Sequence, residues 1–145
     1  MTAPPGNRQT AIARHIKKDP YANSLGAAIE AIEPGYSRVS LTVTDAMLNF
    51  HGVTHGAIAF GLADIAFSAA GNSRGQVAVA LNMSISYLKA TQSGDHLIAE
   101  AKEQHLQGPI GLYTITVTER AGGSLVAKLQ AMVYRKREWF VEPEE

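Results

Sequence analysis

The sequence predicts an α+β domain in which an antiparallel sheet wraps around one long, almost wholly apolar helix. Three observations carry this. From Gly56 to Ala70 the chain reads G-A-I-A-F-G-L-A-D-I-A-F-S-A-A, with only Asp64 and Ser68 polar. A helix apolar on every side has to be covered on most of its circumference. After it come four strand-like runs joined by short turns, the pattern of an antiparallel sheet. Before it, S-R-V-S-L-T-V-T-D alternates with a period of two, as a half-buried strand does. A curled sheet covers one side of such a helix, and a second subunit is the natural cover for the rest.

The elements follow in order. Residues 1–7 read as a loose tail. From Arg8 to Lys18, R-Q-T-A-I-A-R-H-I-K-K is a modest helix with Ile12 and Ile16 one turn apart, stopped by Asp19-Pro20. The stretch L-G-A-A-I-E-A-I-E is a strand and E-P-G-Y a turn. The alternating strand then places Val39, Leu41 and Val43 on one face and Ser40, Thr42 and Thr44 on the other. Beyond the apolar helix, V-A-V-A-L-N-M-S-I-S-Y-L is a long strand, with Val77, Val79, Leu81, Met83, Ile85 and Tyr87 expected on a single face. A-T-Q-S-G-D leads into H-L-I-A-E-A-K-E-Q-H-L-Q, and G-P-I-G separates that strand from L-Y-T-I-T-V-T-E-R. A-G-G is a tight hairpin connection to S-L-V-A-K-L-Q-A-M-V-Y-R. Residues 138–145 read as a second loose tail. With no internal repeat or linker, residues 1–145 are expected to form one domain.

Composition excludes several classes of function. Thirteen basic residues balance thirteen acidic ones, so the basic excess of a nucleic-acid binder is missing. No cysteine is present, which excludes disulfides, thiolate metal sites and a cysteine nucleophile. The N-terminal residues carry no apolar run of signal-peptide type, and the apolar helix is too short to span a bilayer. A cytoplasmic protein that contacts no membrane is expected. No G-x-S-x-G elbow, P-loop or G-x-G-x-x-G occurs, so serine-hydrolase, nucleotide-triphosphatase and dinucleotide readings find no support.

The candidate site centres on the apolar helix. An ionised Asp64 costs free energy there unless it is paired or put to use. Residue by residue, a general base or nucleophile and a satisfied interface aspartate are equally good readings. Gly56 stands at the helix start, where free N–H groups and the positive dipole end can stabilise an oxyanion. The absence of a side chain also admits close approach. Eight residues of helix separate the two by roughly 12 Å and about 80° of rotation. If both act on one substrate, they belong to different chains, with antiparallel helices and two sites per dimer.

Around this pair, His55 orients the loop or the substrate. His51 and His55 are four apart, but no H-E-x-x-H pattern accompanies them, so a metal pair is disfavoured and His51 reads as a loop residue. Asn49 can hydrogen-bond a substrate carbonyl or an attacking water, or can stabilise its own turn. Ser68, one turn beyond Asp64 on the same face, can hold a water or the aspartate, or simply allow close helix contact. Arg135, Lys136 and Arg137, with Arg74 and Lys89, could meet the phosphates of an anionic ligand, although solvated surface charges are the stronger reading.

Taken together, N-F-H-G-V-T-H-G-A-I-A-F-G-L-A-D, residues 49–64, resembles the signature of hotdog-fold acyl-CoA thioesterases, and most of all the PaaI-like branch associated with phenylacetate degradation. Asn49, Gly52, His55, Gly56 and Asp64 match the pattern in type and spacing, and S-I-S-Y-L-K-A-T-Q-S-G-D continues it. The resemblance covers roughly residues 20–136. It implies a hotdog fold, hydrolysis of an acyl-CoA to free acid and CoA without metal or cofactor, and a homodimer that assembles into a homotetramer. It also implies that Gly56 polarises the thioester carbonyl and that Asp64 of the partner subunit attacks it or activates water. Asn49 and His55 would position substrate or water, with Ser68, Ala57 and Gly52 lining the substrate.

The chain departs from the family pattern at two positions. Ala57 stands where many members have a second glycine, narrowing the approach. Ala80 stands where some carry a hydroxyl, a role Ser68 would take over. The acyl group is expected to be aryl or of medium length. The rival readings are a hotdog hydroxyacyl-thioester dehydratase and a non-catalytic acyl-CoA-binding protein.

Overall fold

The computed structural model describes residues 6–144. The chain runs α1 (Asn7–Ile16), α2 (Pro20–Leu25), β1 (Ala28–Glu33), β2 (Tyr36–Thr42), a single 3₁₀ turn at Asp45–Met47, α3 (Gly56–Gly71), β3 (Gln76–Tyr87), β4 (His96–Gln107), β5 (Ile110–Glu119) and β6 (Leu125–Trp139). The six strands form one antiparallel sheet in the order β1-β2-β4-β5-β6-β3. The sheet curls around α3, giving the hotdog arrangement that the resemblance implies.

The core explains the curl. Leu62, Ala63, Ala66, Phe67 and Ala70 of α3 pack against Val39, Leu41, Leu97, Ala99, Ile115, Val117, Leu129 and Val133 of the sheet. Alanines on the helix let the strands approach its backbone closely, and Phe67 fills the deepest layer, edge-on to Tyr113 with ring centroids 5.5 Å apart. Burial of this apolar surface is the main force holding helix to sheet.

The structure differs from the sequence reading in four places. Asp19-Pro20 ends α1 but also opens α2, which the sequence reading left unassigned except for Leu25, placed in the strand. Asp19 caps α2 by accepting from the amides of Tyr21 and Ala22, Pro20 sits in the first turn, and Gly26 closes the helix at φ 77°. These are the expected start and stop signals of a helix. The long strand β3 does not keep one apolar face. The register shift between Ala80 and Asn82 puts one extra residue in β3 and flips its alternation, whereas that between Gln76 and Ala78 puts two extra residues on β6. Met83 and Ile85 consequently pack on the core side, while Val79 and Leu81 are exposed.

The late strands are also not all consecutive neighbours. β3 lies at the far edge beside β6, so the chain crosses the sheet twice around α3. Finally, the C-terminal stretch expected to be loose is strand as far as Trp139 and is tied down beyond it. Phe140 stacks on His15, and the Arg8 guanidinium donates to the carbonyls of Val141 and Glu142. The N-terminal tail expected over 1–7 lies largely outside the described residues, and Asn7 already begins α1.

Candidate active site

Two buried serines and one asparagine fix the rotation of α3, and with it the direction Asp64 faces. Ser37 of β2 donates to the Ala66 carbonyl. Ser73, just past the helix, donates to the Ala70 carbonyl and accepts from the Gly35 amide at 2.8 Å. The Asn72 carboxamide joins the helix end to β3 by donating to the carbonyls of Ser68 and Ala78 and accepting from the Ala78 amide. Held this way, α3 turns its alanine-rich side to the sheet and leaves a stripe less covered. Along that stripe Ala57 and Ser68 are exposed and Asp64 is half-buried. These three lie within about 40° of one another around the axis.

Among the described residues, no cation or hydrogen-bond donor engages the Asp64 carboxylate. Burial raises its pKa above the ordinary aspartate value, and the nearby Asp19 carboxylate raises it further. Both effects make Asp64 a stronger base than a solvated aspartate. If Asp64 acts in its ionised form, kcat/KM falls on the acid side with a midpoint above that of a free aspartate. Asp19→Asn, which keeps a capping side chain, is expected to move that midpoint down. A pH–rate profile of the two proteins reads the shift.

At the other end of the stripe, the loop of residues 48–54 delivers the start of α3. Leu48 and Thr54 form an isolated antiparallel bridge, and the loop closes through Asn49 N–H to Val53 and Gly52 N–H to Asn49. Gly52 holds φ 79°, a left-handed value that favours glycine, with open space where a Cβ would lie. The Asn49 carboxamide oxygen accepts from the amides of His51 and Val53, so only its NH2 group is left for a ligand. The loop is fastened to the β3–β4 connection by Thr54 N–H to the Thr91 carbonyl and by the Thr91 hydroxyl on that of Thr54.

His55 caps α3. Its Nδ1 accepts from the Ala57 amide at 3.0 Å, which places the ring proton on Nε2. The Ile58 amide donates to the His55 carbonyl. Of the first three amides of the helix, that of Gly56 alone has no intrachain acceptor among the described residues. It points a free donor outward at the positive end of the dipole.

The structure thus brings Asn49, Gly52, His55, Gly56 and Ala57 together at the start of α3. It keeps Asp64 and Ser68 two and three turns along the same helix. Ala80 pairs with Val133 and faces the helix side, contributing only a methyl group. Ser68 lines a cleft of about 400 Å³ with His15, Asp19, Asn72, Val77 and Phe140. His51 lies tilted against the neighbouring Phe50 ring in the loop, with centroids 4.4 Å apart, and no cluster of metal-ligating residues occurs among those described. The basic residues are partly spoken for: Arg74 pairs with Glu103, Lys89 with Glu119, and Arg135 donates to the Gly108 carbonyl.

Three neighbours of the site escaped the sequence reading. Asp19 and Tyr21 of the α2 region lie beside the open stripe. A Cβ on Gly61 would fall 2.3 Å from the Tyr21 hydroxyl, so this glycine is needed for the contact. The Asp-Pro start and the Gly26 stop were the signals that could have revealed α2. Tyr87, at the end of β3, lies against Gly56; only tertiary structure brings those two together.

Comparison with known proteins gives consistent results. Residues 51–126 match the model of a family described as the thioesterase superfamily. A protein of Archaeoglobus fulgidus provisionally called an esterase is 40% identical over 124 residues, 86% of this chain and 80% of that one. The acyl-coenzyme A thioesterase PaaI of Escherichia coli is 38% identical over 104 residues, 72% of this chain and 74% of its own. The solved structure of that protein, from the phenylacetic acid degradation operon, superposes with a TM-score of 0.86 over 91% of this chain and 96% of that one. A Streptococcus mutans protein solved with acetyl-CoA bound is 30% identical, with a TM-score of 0.72 over 76% of this chain and 88% of that one.

Proposed function

This chain belongs to the thioesterase superfamily and is a thioester hydrolase, and from that premise we propose that it cleaves aryl- or medium-chain acyl-CoA at a site shared between two protomers. One observation carries the reading. The free Gly56 amide and the half-buried Asp64 carboxylate share one rigid helix, roughly 12 Å apart. That is too far for both to act on one carbonyl group from a single chain. Antiparallel packing of two such helices along their open stripes brings Gly56 of one protomer to Asp64 of the partner subunit. The long edge strand β3, unpaired on one side and carrying exposed Val79 and Leu81, supports the same dimer. A tetramer of two such dimers is part of the reading.

In this site the thioester carbonyl oxygen accepts from the Gly56 N–H, and negative charge develops there as the carbon becomes tetrahedral. Asp64 of the partner subunit supplies the oxygen in one of two ways. It takes a proton from water that attacks the carbon, or it attacks directly to form an anhydride that water then opens. Both routes break the C–S bond, release CoA as thiolate and leave the acid. The neutral His55 ring holds the Gly56–Ala57 turn in shape, and the Asn49 NH2 group donates to substrate or water.

The likeness to the phenylacetic-acid operon protein favours an aryl-acetyl group. CoA release across aryl-acetyl, benzoyl and C4–C12 aliphatic acyl-CoAs tests this. Turnover is expected throughout the panel, with the highest kcat/KM for an aryl-acetyl member. No turnover of any member would remove the proposed substrate class.

A further inference from the structure

We propose that Tyr87 is a second oxyanion donor, completing with the Gly56 amide the pocket that binds the thioester carbonyl oxygen; this rests on the oxyanion role read for Gly56 above. The placement is direct. A Cβ built on Gly56 would lie 3.3 Å from Tyr87 Cε1 and 3.5 Å from its hydroxyl oxygen. The phenol therefore covers the side of Gly56 that a side chain would otherwise fill. Bond geometry puts the Gly56 nitrogen about 2.5 Å from that Cβ position, so nitrogen and phenol oxygen are within about 6 Å of each other. One oxygen accepting from an N–H and an O–H along lone pairs about 120° apart spans donors about 4.9 Å apart. With the ring turned toward the amide, one oxygen placed between the two would accept from both.

Four further features fit this role. Tyr87 pairs with Ala127 and lies on the same side of β3 as Met83 and Ile85, facing the start of α3. Its hydroxyl is uncommitted among the described residues, whereas those of Tyr36 and Tyr113 donate to Glu100 and Glu103. The side chain is also 57% exposed, so the hydroxyl is open to a ligand rather than sealed in the core. The Thr54–Thr91 bonds fix the segment after Tyr87 to the loop before Gly56, so the two donors are held in register. The proposal also gives Gly56 a second reason to lack a side chain. A Cβ there would crowd the phenol ring at 3.3 Å.

Tyr87→Phe keeps the ring and removes only the donor. With the best acyl-CoA of the panel, kcat is expected to fall on the order of 10- to 100-fold with KM nearly unchanged, since the bond strengthens in the transition state. Binding of a thioether analogue of the substrate, which lacks the carbonyl, is expected to be the same in both proteins. A Tyr87→Phe enzyme with wild-type kcat, or one whose loss lies wholly in KM, would overturn the proposal. Asp64→Ala measured alongside separates the two levels. Loss with Asp64→Ala but not with Tyr87→Phe rejects the second donor alone, whereas no loss with Asp64→Ala rejects the underlying reading of the site.

Discussion

Replacing Asp64 by asparagine is expected to lower kcat/KM by roughly 10²- to 10⁴-fold, the range that a positioned base or nucleophile contributes, and at the same time to raise thermal stability. The two effects have one cause. Asparagine has nearly the shape of aspartate, so α3 and its packing are kept, but it can neither take a proton from water nor attack a thioester. The stability change follows from the direction of the pKa shift. Burial, with Asp19 adding to it, lifts the folded-state pKa above the ordinary aspartate value. The fold therefore favours the neutral carboxyl. Stability linked to this group is fully present below the ordinary aspartate range and is lost as pH rises through the folded pKa. At neutral pH the charge opposes folding, and asparagine removes it. CoA release and thermal melts at pH 7 on the same preparations read both effects. An active Asp64→Asn enzyme would remove the carboxylate from the mechanism, and one that melts lower would contradict the account of its burial.

A residue held at a cost to the fold is a common mark of an active site. It was also the feature easiest to read from the sequence. The G-A-I-A-F-G-L-A-D-I-A-F-S-A-A run is apolar on all sides, so helix, burial and the anomaly of Asp64 followed from composition and period alone. The alternating strand before it was equally plain, because Val39, Leu41 and Val43 face a real core. Other features were hidden for physical reasons. The bulge of β3 between Ala80 and Asn82 is not encoded by alternation, so one apolar face was expected where the strand has two. The six-residue α2 is too short for helical periodicity and is marked only by its Asp-Pro start and Gly26 stop. Tyr87 and Gly56 are thirty-one positions apart and meet only because β3 crosses to the far edge of the sheet. In the loop, the Asn49 carboxamide oxygen serves its own turn, as one of the two sequence readings held, which leaves its NH2 for the chemistry.

The central claim is that each site takes Gly56 from one protomer and Asp64 from the other, and mixed dimers test it most directly. Gly56→Val places a branched side chain where even a Cβ would lie 3.3 Å from the Tyr87 ring, closing the oxyanion side. Asp64→Asn removes the carboxylate. Each homodimer is expected to be nearly inactive by itself. In a two-fold dimer carrying one of each, one site receives both lesions and the other receives an intact Gly56 and an intact Asp64. Random pairing at equal expression makes half the dimers mixed, so co-expressed subunits are predicted to recover about a quarter of wild-type activity. Separately tagged subunits allow the mixed dimer to be purified, and it should then show about half. If each chain instead held a complete site, every chain in the mixture would carry a lesion. Activity no higher than that of the two inactive homodimers would contradict the shared site.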